Sequence, residues 1–156
     1  MRADCRLSRM LHVLLHMARH DEPFTSEEIA RMLRTNPVVV RRTMAGLREA
    51  GYVRSRKGAG GGWTLDCDLR EVTLLDIHRA VGTPQLFAIG HGGGSPDCAV
   101  EKVVNQALSD ALENAERVLL ERLGTVALAD LLQEFDRLCT EGGWGKAGPA
   151  MGPSGN

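Results

Sequence analysis

The chain has 156 residues, of which 43% are hydrophobic and 4% aromatic, with 19 basic and 20 acidic side chains. That length holds one substantial core, or a small domain with an appended helical arm, and aliphatic residues with few aromatics suit helix packing. No apolar run reaches the roughly 18 residues a membrane-spanning helix needs, and the charged start MRADCRLSR lacks the features of a signal peptide, so the expected location is the cytoplasm. There, four widely spaced cysteines (Cys5, Cys67, Cys98, Cys139) do not make a disulfide framework.

Leu7, Met10, Leu11, Leu14, Leu15 and Ala18 recur at helical spacing and predict an amphipathic helix over 7–20. His12, His16 and His20 fall four apart along its flank, where imidazoles either share a metal or stay solvated at a helix edge. Asp21-Glu22-Pro23 breaks this helix, and Thr25 with Glu28 reads as a capping box opening a second one that holds Ile29, Ala30 and Leu33. After the link Arg34-Thr35-Asn36, Asn36 caps a third helix with Pro37 in its first turn. Val40, Met44, Leu47 and Ala50 form its apolar face, with Arg41, Arg42 and Arg48 off it, and Gly51 closes it.

An extended arm follows, Tyr52-Val53-Arg54-Ser55-Arg56-Lys57, then the tip Gly58-Ala59-Gly60-Gly61-Gly62 and the returning strand Trp63-Thr64-Leu65. Two short helices with a tight link, followed by a basic, glycine-tipped hairpin, have the layout of a winged helix-turn-helix. Between Arg31 and Lys57 eight basic residues face one acid, Glu49. The local balance is plus seven while the whole chain is minus one, so charge is segregated into a footprint for a polyanion. The plain alternative is a solvated basic face; helix, glycine stop, basic arm and glycine tip in series favour DNA.

Thr73 caps a further helix with Leu74, Leu75, Ile77, His78 and Val81 on its buried side. Residues 84–97 form an irregular loop, and Asp97 is expected to cap a long helix striped by Val100, Val103, Val104, Ala107, Leu108, Ala111, Leu112, Ala115, Val118 and Leu119. A helix that long has no partner of its own length in so small a chain, which predicts pairing with a second copy. Gly124-Thr125 ends it. Leu128, Leu131, Leu132, Phe135 and Leu138 mark a last helix, and the Gly/Pro-rich tail from Thr140 to Asn156 reads as disordered. The expected class is mainly α with a small β-wing: a winged helix-turn-helix plus a long dimerisation helix.

Leu47-Arg48-Glu49-Ala50-Gly51-Tyr52-Val53, the arm from Arg54 to Trp63, and Val72-Thr73-Leu74-Leu75-Asp76-Ile77 resemble the Rrf-two (Rrf2) family of bacterial winged-helix regulators. These include iron–sulfur assembly, nitric-oxide and cysteine-metabolism repressors. The resemblance runs from about Ser8 to Leu132. It implies a homodimer on double-stranded DNA at a palindromic operator, with the long helix as interface. It also implies DNA reading by Val38, Val39, Arg41 and Arg42 and a minor-groove role for Lys57. Asn36, Arg48, Arg54 and Arg56 complete the expected DNA face. The chain then divides into a winged head over 1–83, a sensor-type loop over 84–97, dimerisation helices over 98–139 and the tail over 140–156.

Many relatives hold an iron–sulfur cluster on three cysteines before the long helix; here that region carries only Cys98, with His91 upstream. No cofactor is therefore expected from a three-cysteine set. A mixed set of Cys98 and His91 with His12 or Cys5 from a second subunit stays open. Cys98 also suggests a redox or nitrogen-oxide sensor: free N–H groups at a helix start favour an anion, while Asp97 opposes it. Two other classes compete with the regulator. One is a winged-helix protein adaptor that does not read DNA. The other is a hydrolase or redox enzyme using Cys98 and His91, for which no accompanying motif exists.

Overall fold

The computed structural model describes residues 4–83, Phe87 and 98–142. His91, Asp97 and Trp144 lie outside them, as do the rest of the expected sensor loop apart from Phe87 and nearly all of the tail. The elements are α1 (Arg6–Met17), α2 (Ser26–Met32), α3 (Pro37–Glu49), β1 (Val53–Arg56), β2 (Gly62–Leu65), α4 (Leu74–Ala80), α5 (Ala99–Gly124) and α6 (Leu128–Glu141). This is the expected winged helix-turn-helix with one long helix.

The caps explain where the helices start. Thr25 Oγ1 accepts from the Glu28 amide while the Glu28 carboxylate accepts from the Thr25 amide, and Thr73 and Asp76 repeat the device at α4. The Thr25 amide and the Thr25 hydroxyl both donate to Glu28 Oε2 and hold the Glu28 carboxyl below its ordinary value. Asn36 Oδ1 accepts from the Val38 amide at 2.7 Å to open α3. Gly51, with φ 83°, turns the chain out of α3, as the sequence predicts. Between α2 and α3 the left-handed position is held by Arg34, with φ 50°.

One core serves the whole head. Met10, Val13, Leu14 and Met17 of α1 meet Ile29 and Ala30, then Val40, Met44 and Leu47, then Ile77 and Val81, with Val53, Trp63 and Leu128 closing it. α1 ends at Met17, three residues short of the predicted helix, and its buried line runs through Val13 and Met17, with Leu15 and Ala18 only half-buried. β1 and β2 pair antiparallel with Val53 opposite Leu65 and Ser55 opposite Trp63. Phe24 adds a single bridge on the outer edge of β2, exchanging both backbone hydrogen bonds with Trp63 at 3.0 and 2.8 Å. Gly62 makes this possible: at φ 151° a Cβ there would stand 2.6 Å from the Phe24 carbonyl oxygen.

α5 starts at Ala99 with Cys98 in the cap position and no side-chain cap bond. None of its residues is buried. α6 does not continue this helix. The Thr73–Ala127 bridge and the bonds from the Leu128 amide to the Val72 carbonyl and from the Ala129 amide to the Leu69 carbonyl return the chain to the head, where α6 lies against α1. Grouping α6 with α5 as a dimerisation arm does not anticipate this placement. Its inward face also differs from the sequence reading: Cys139, which accepts from Arg19 Nη1, is buried and Leu138 is 45% exposed.

Where α3 crosses α4 the two backbones nearly touch: a Cβ on Gly46 would lie 2.3 Å from the Ala80 carbonyl oxygen. Gly46→Ala gains about 0.8–1 kcal/mol of helix propensity, yet the overlap falls on backbone, which cannot rotate aside. We expect a net loss of at least about 1 kcal/mol in urea unfolding; an Ala variant as stable as the parent would mean the helices part freely.

Candidate nucleic-acid interface

α3 divides cleanly. Val40, Met44 and Leu47 are sunk in the core, while Asn36, Val38, Val39, Arg41, Arg42 and Arg48 all lie on the exposed side. Val38 is 62% exposed although apolar. A helix that turns two valines to water beside two arginines presents the groups that meet thymine methyls and guanine or phosphate oxygens. Arg41 is partly occupied, its Nη1 donating to Glu27 Oε1 at 3.2 Å. That acid comes from the first turn of α2, and charge counting along 31–57 could not include it.

The hairpin carries Arg54, Arg56 and Lys57, all exposed, to an exposed tip at Gly58-Ala59-Gly60. Arg54 pairs with Asp66 at 3.6 Å. Arg42, Arg48, Arg56 and Lys57 enter no ion pair among the described residues. The expected basic residues of helix and wing are thus all exposed. Trp63 holds the two parts in one frame: it is 7% exposed and its indole Nε1 donates to Ser26 Oγ at 3.0 Å. Nothing local in the sequence pairs Trp63 with Ser26; an aromatic residue straight after a glycine run is the one signal.

Comparison with known proteins agrees with this reading. A family model described as "Rrf2: Iron-dependent Transcriptional regulator" matches residues 3–134. YwnA of Bacillus subtilis (strain 168), a candidate HTH-type transcriptional regulator, is 36% identical over 133 residues, covering 85% of this chain and 98% of YwnA. A crystal structure of a candidate DNA-binding protein is 34% identical with a TM-score of 0.63, covering 81% of this chain and 98% of that one. A candidate transcriptional regulator from Lactobacillus plantarum shares the fold at 24% identity, with a TM-score of 0.71 and 88% and 93% of the two chains covered.

The family description raises the question of iron, and the donors among the described residues do not converge on a site for it. A cluster needs three or four thiolates or imidazoles converging on one point. The four cysteines sit on separate segments: Cys5 exposed before α1, Cys67 half-buried after the wing, Cys98 exposed at the head of α5, Cys139 buried in α6. Burial pushes the Cys67 thiol up, which disfavours the ligating form. Arg19 Nη1 sits 2.8 Å from Cys139 Sγ, leaving no room for a metal. Among the described residues no three His, Cys, Asp or Glu side chains converge.

His12, His16 and His20 do not converge on a metal site among the described residues either. His12 stacks on His16 at 4.8 Å, His16 meets the edge of Phe135 in α6, and His20 turns to Phe24. Half-burial first, then the neighbouring His12, His20 and Arg19, hold His16 below its ordinary value of 6.5. The unfolded chain therefore takes up a proton near pH 6.5 that the folded chain resists. Stability is complete above that value and falls as the pH drops through it. Thermal unfolding between about pH 7.5 and 5.5 should show this fall, and His16→Phe, which keeps a ring against Phe135, should flatten it. An unchanged slope would mean that another group titrates.

Proposed function

Because the chain belongs to the Rrf2 family of DNA-binding transcriptional regulators, we propose that it acts as a homodimeric repressor on a palindromic operator. One observation carries the dimer: α5, 26 residues long, buries none of them, and Val100 and Val103 are 72% and 70% exposed. Val104, Leu108 and Val118 extend the same apolar exposure. A helix with so much unpaired apolar surface is covered most simply by an identical helix related by a twofold axis. Twofold symmetry then sets two copies of α3 about one turn of DNA apart, roughly 34 Å.

In each head, Val38, Val39, Arg41 and Arg42 read base edges from the major groove. Asn36 and Arg48 bind flanking phosphates, Arg54 and Arg56 hold the backbone, and Lys57 enters the minor groove at the wing tip. The signal enters at Cys98, an exposed thiol at the start of α5. A redox or nitrogen-oxide input there changes the separation of the heads. The relatives are transcriptional regulators, which supports a non-enzymatic role.

Light scattering of the purified chain should give twice the monomer mass, and Val103→Glu with Leu108→Glu should give the monomer with helix content kept. Operator binding should fall with it. Arg41→Ala should relax preference at particular base pairs at about 1–3 kcal/mol, whereas a triple alanine variant at Arg54, Arg56 and Lys57 should weaken all DNA and flatten the salt dependence. Equal salt slopes for the triple variant and the parent would refute the wing assignment. Identical operator affinity of Cys98→Ser and parent, with and without peroxide or nitric oxide, would remove the thiol from the signal path.

A further inference from the structure

The two faces of the wing are unlike. Val53 and Trp63 enter the core, while Arg54 and Thr64, opposite each other in the ladder, share the other face with Arg56. The chain leaving α1 curls over that second face, and between them lies a half-enclosed cavity of ≈ 600 Å³. Arg54, Arg56 and Thr64 line it from the sheet; Met17, Asp21 and Glu22 line it from the end of α1 and the following turn. The volume is in the range of small-molecule sites, roughly 300–1,000 Å³.

Two arginines and two acidic residues border one space, yet no ion pair joins them. Arg54 turns to Asp66, and Arg56, Asp21 and Glu22 enter no ion pair among the described residues. Paired strands hold the cations and the turn holds the anions, so the gap is built into the backbone. A simple anion would meet the arginines but also the repulsion of Asp21 and Glu22. A molecule carrying both signs meets attraction at both ends.

We propose that this cavity binds a small zwitterion, an α-amino acid or short peptide. Its carboxylate lies on Arg54 and Arg56, its ammonium on Asp21 and Glu22, and its side chain along Met17. Arg54 and Arg56 also serve the wing, so an occupied site withdraws them from phosphate and lowers DNA affinity. That consequence rests on the wing assignment above; binding of the zwitterion does not.

Calorimetry and thermal shift without DNA test the site. Proteinogenic amino acids and dipeptides would be added singly at millimolar concentration, beside their N-acetyl and desamino counterparts and inorganic phosphate. At least one free amino acid or dipeptide should bind and raise the melting temperature, its N-acetyl form should not, and Asp21→Asn with Glu22→Gln should weaken binding by at least about tenfold. Both substitutions are on exposed side chains outside the DNA face, so DNA affinity without ligand should be kept. No binding by any zwitterion, equal binding by desamino acids or phosphate, or full binding by the double variant would each overturn the proposal. Binding without any effect on operator retardation would instead count against the wing assignment and leave the site standing.

Discussion

The structure depends on the seating of Trp63. Its backbone exchanges two hydrogen bonds with Phe24, its indole N–H is satisfied by Ser26 Oγ, and its ring fills the core beneath the sheet. An indole buried without an acceptor would cost about 1–3 kcal/mol, so Ser26, in the first turn of α2, decides whether the ring stays in. The same few bonds join the wing, the start of α2 and the chain leaving α1. Basic side chains that are far apart in sequence therefore keep fixed relative positions before any DNA arrives, and their ordering costs binding little.

Charge is distributed to the same end. The stretch from Arg31 to Lys57 is strongly positive within a chain whose total is minus one. The acids that touch this stretch, Glu27 and Asp66, reach it through space and bind only Arg41 and Arg54. All four of these side chains are at least 48% exposed, so the pairs are weak and readily exchanged for phosphate. They keep the arginines extended without neutralising the face.

Much of this was legible in the sequence because the signals were local. Asn36-Pro37, the Thr25–Glu28 box, Gly51 and the glycine tip each set backbone geometry within a few residues, and helical periodicity marked the core face of α3. What escaped reading was long-range. Phe24 follows the breaker Asp21-Glu22-Pro23 with no pattern of its own, and its strand-like bridge appears only once Trp63 is beside it. The burial of Cys139, with Leu138 left in solvent, goes with a contact to Arg19, 120 residues away. The pairing of Glu27 with Arg41 crosses the turn between two helices, which no count along the chain reveals. The cavity under the wing arises from the path of residues 18–23, which lack any periodic pattern.

One consequence concerns leverage. The return of residues 126–129 onto residues 69–73 pins the C-terminal end of α5 to the head, while Val100 and Val103 stand in solvent at the opposite end. At 1.5 Å per residue the helix spans roughly 39 Å. A pivot of about 5° at the pinned end therefore swings the distal end by about 3 Å. In a twofold assembly that arc is comparable to the spacing of one base pair, so slight repacking where α4 meets α5 is enough to throw two reading heads out of phase.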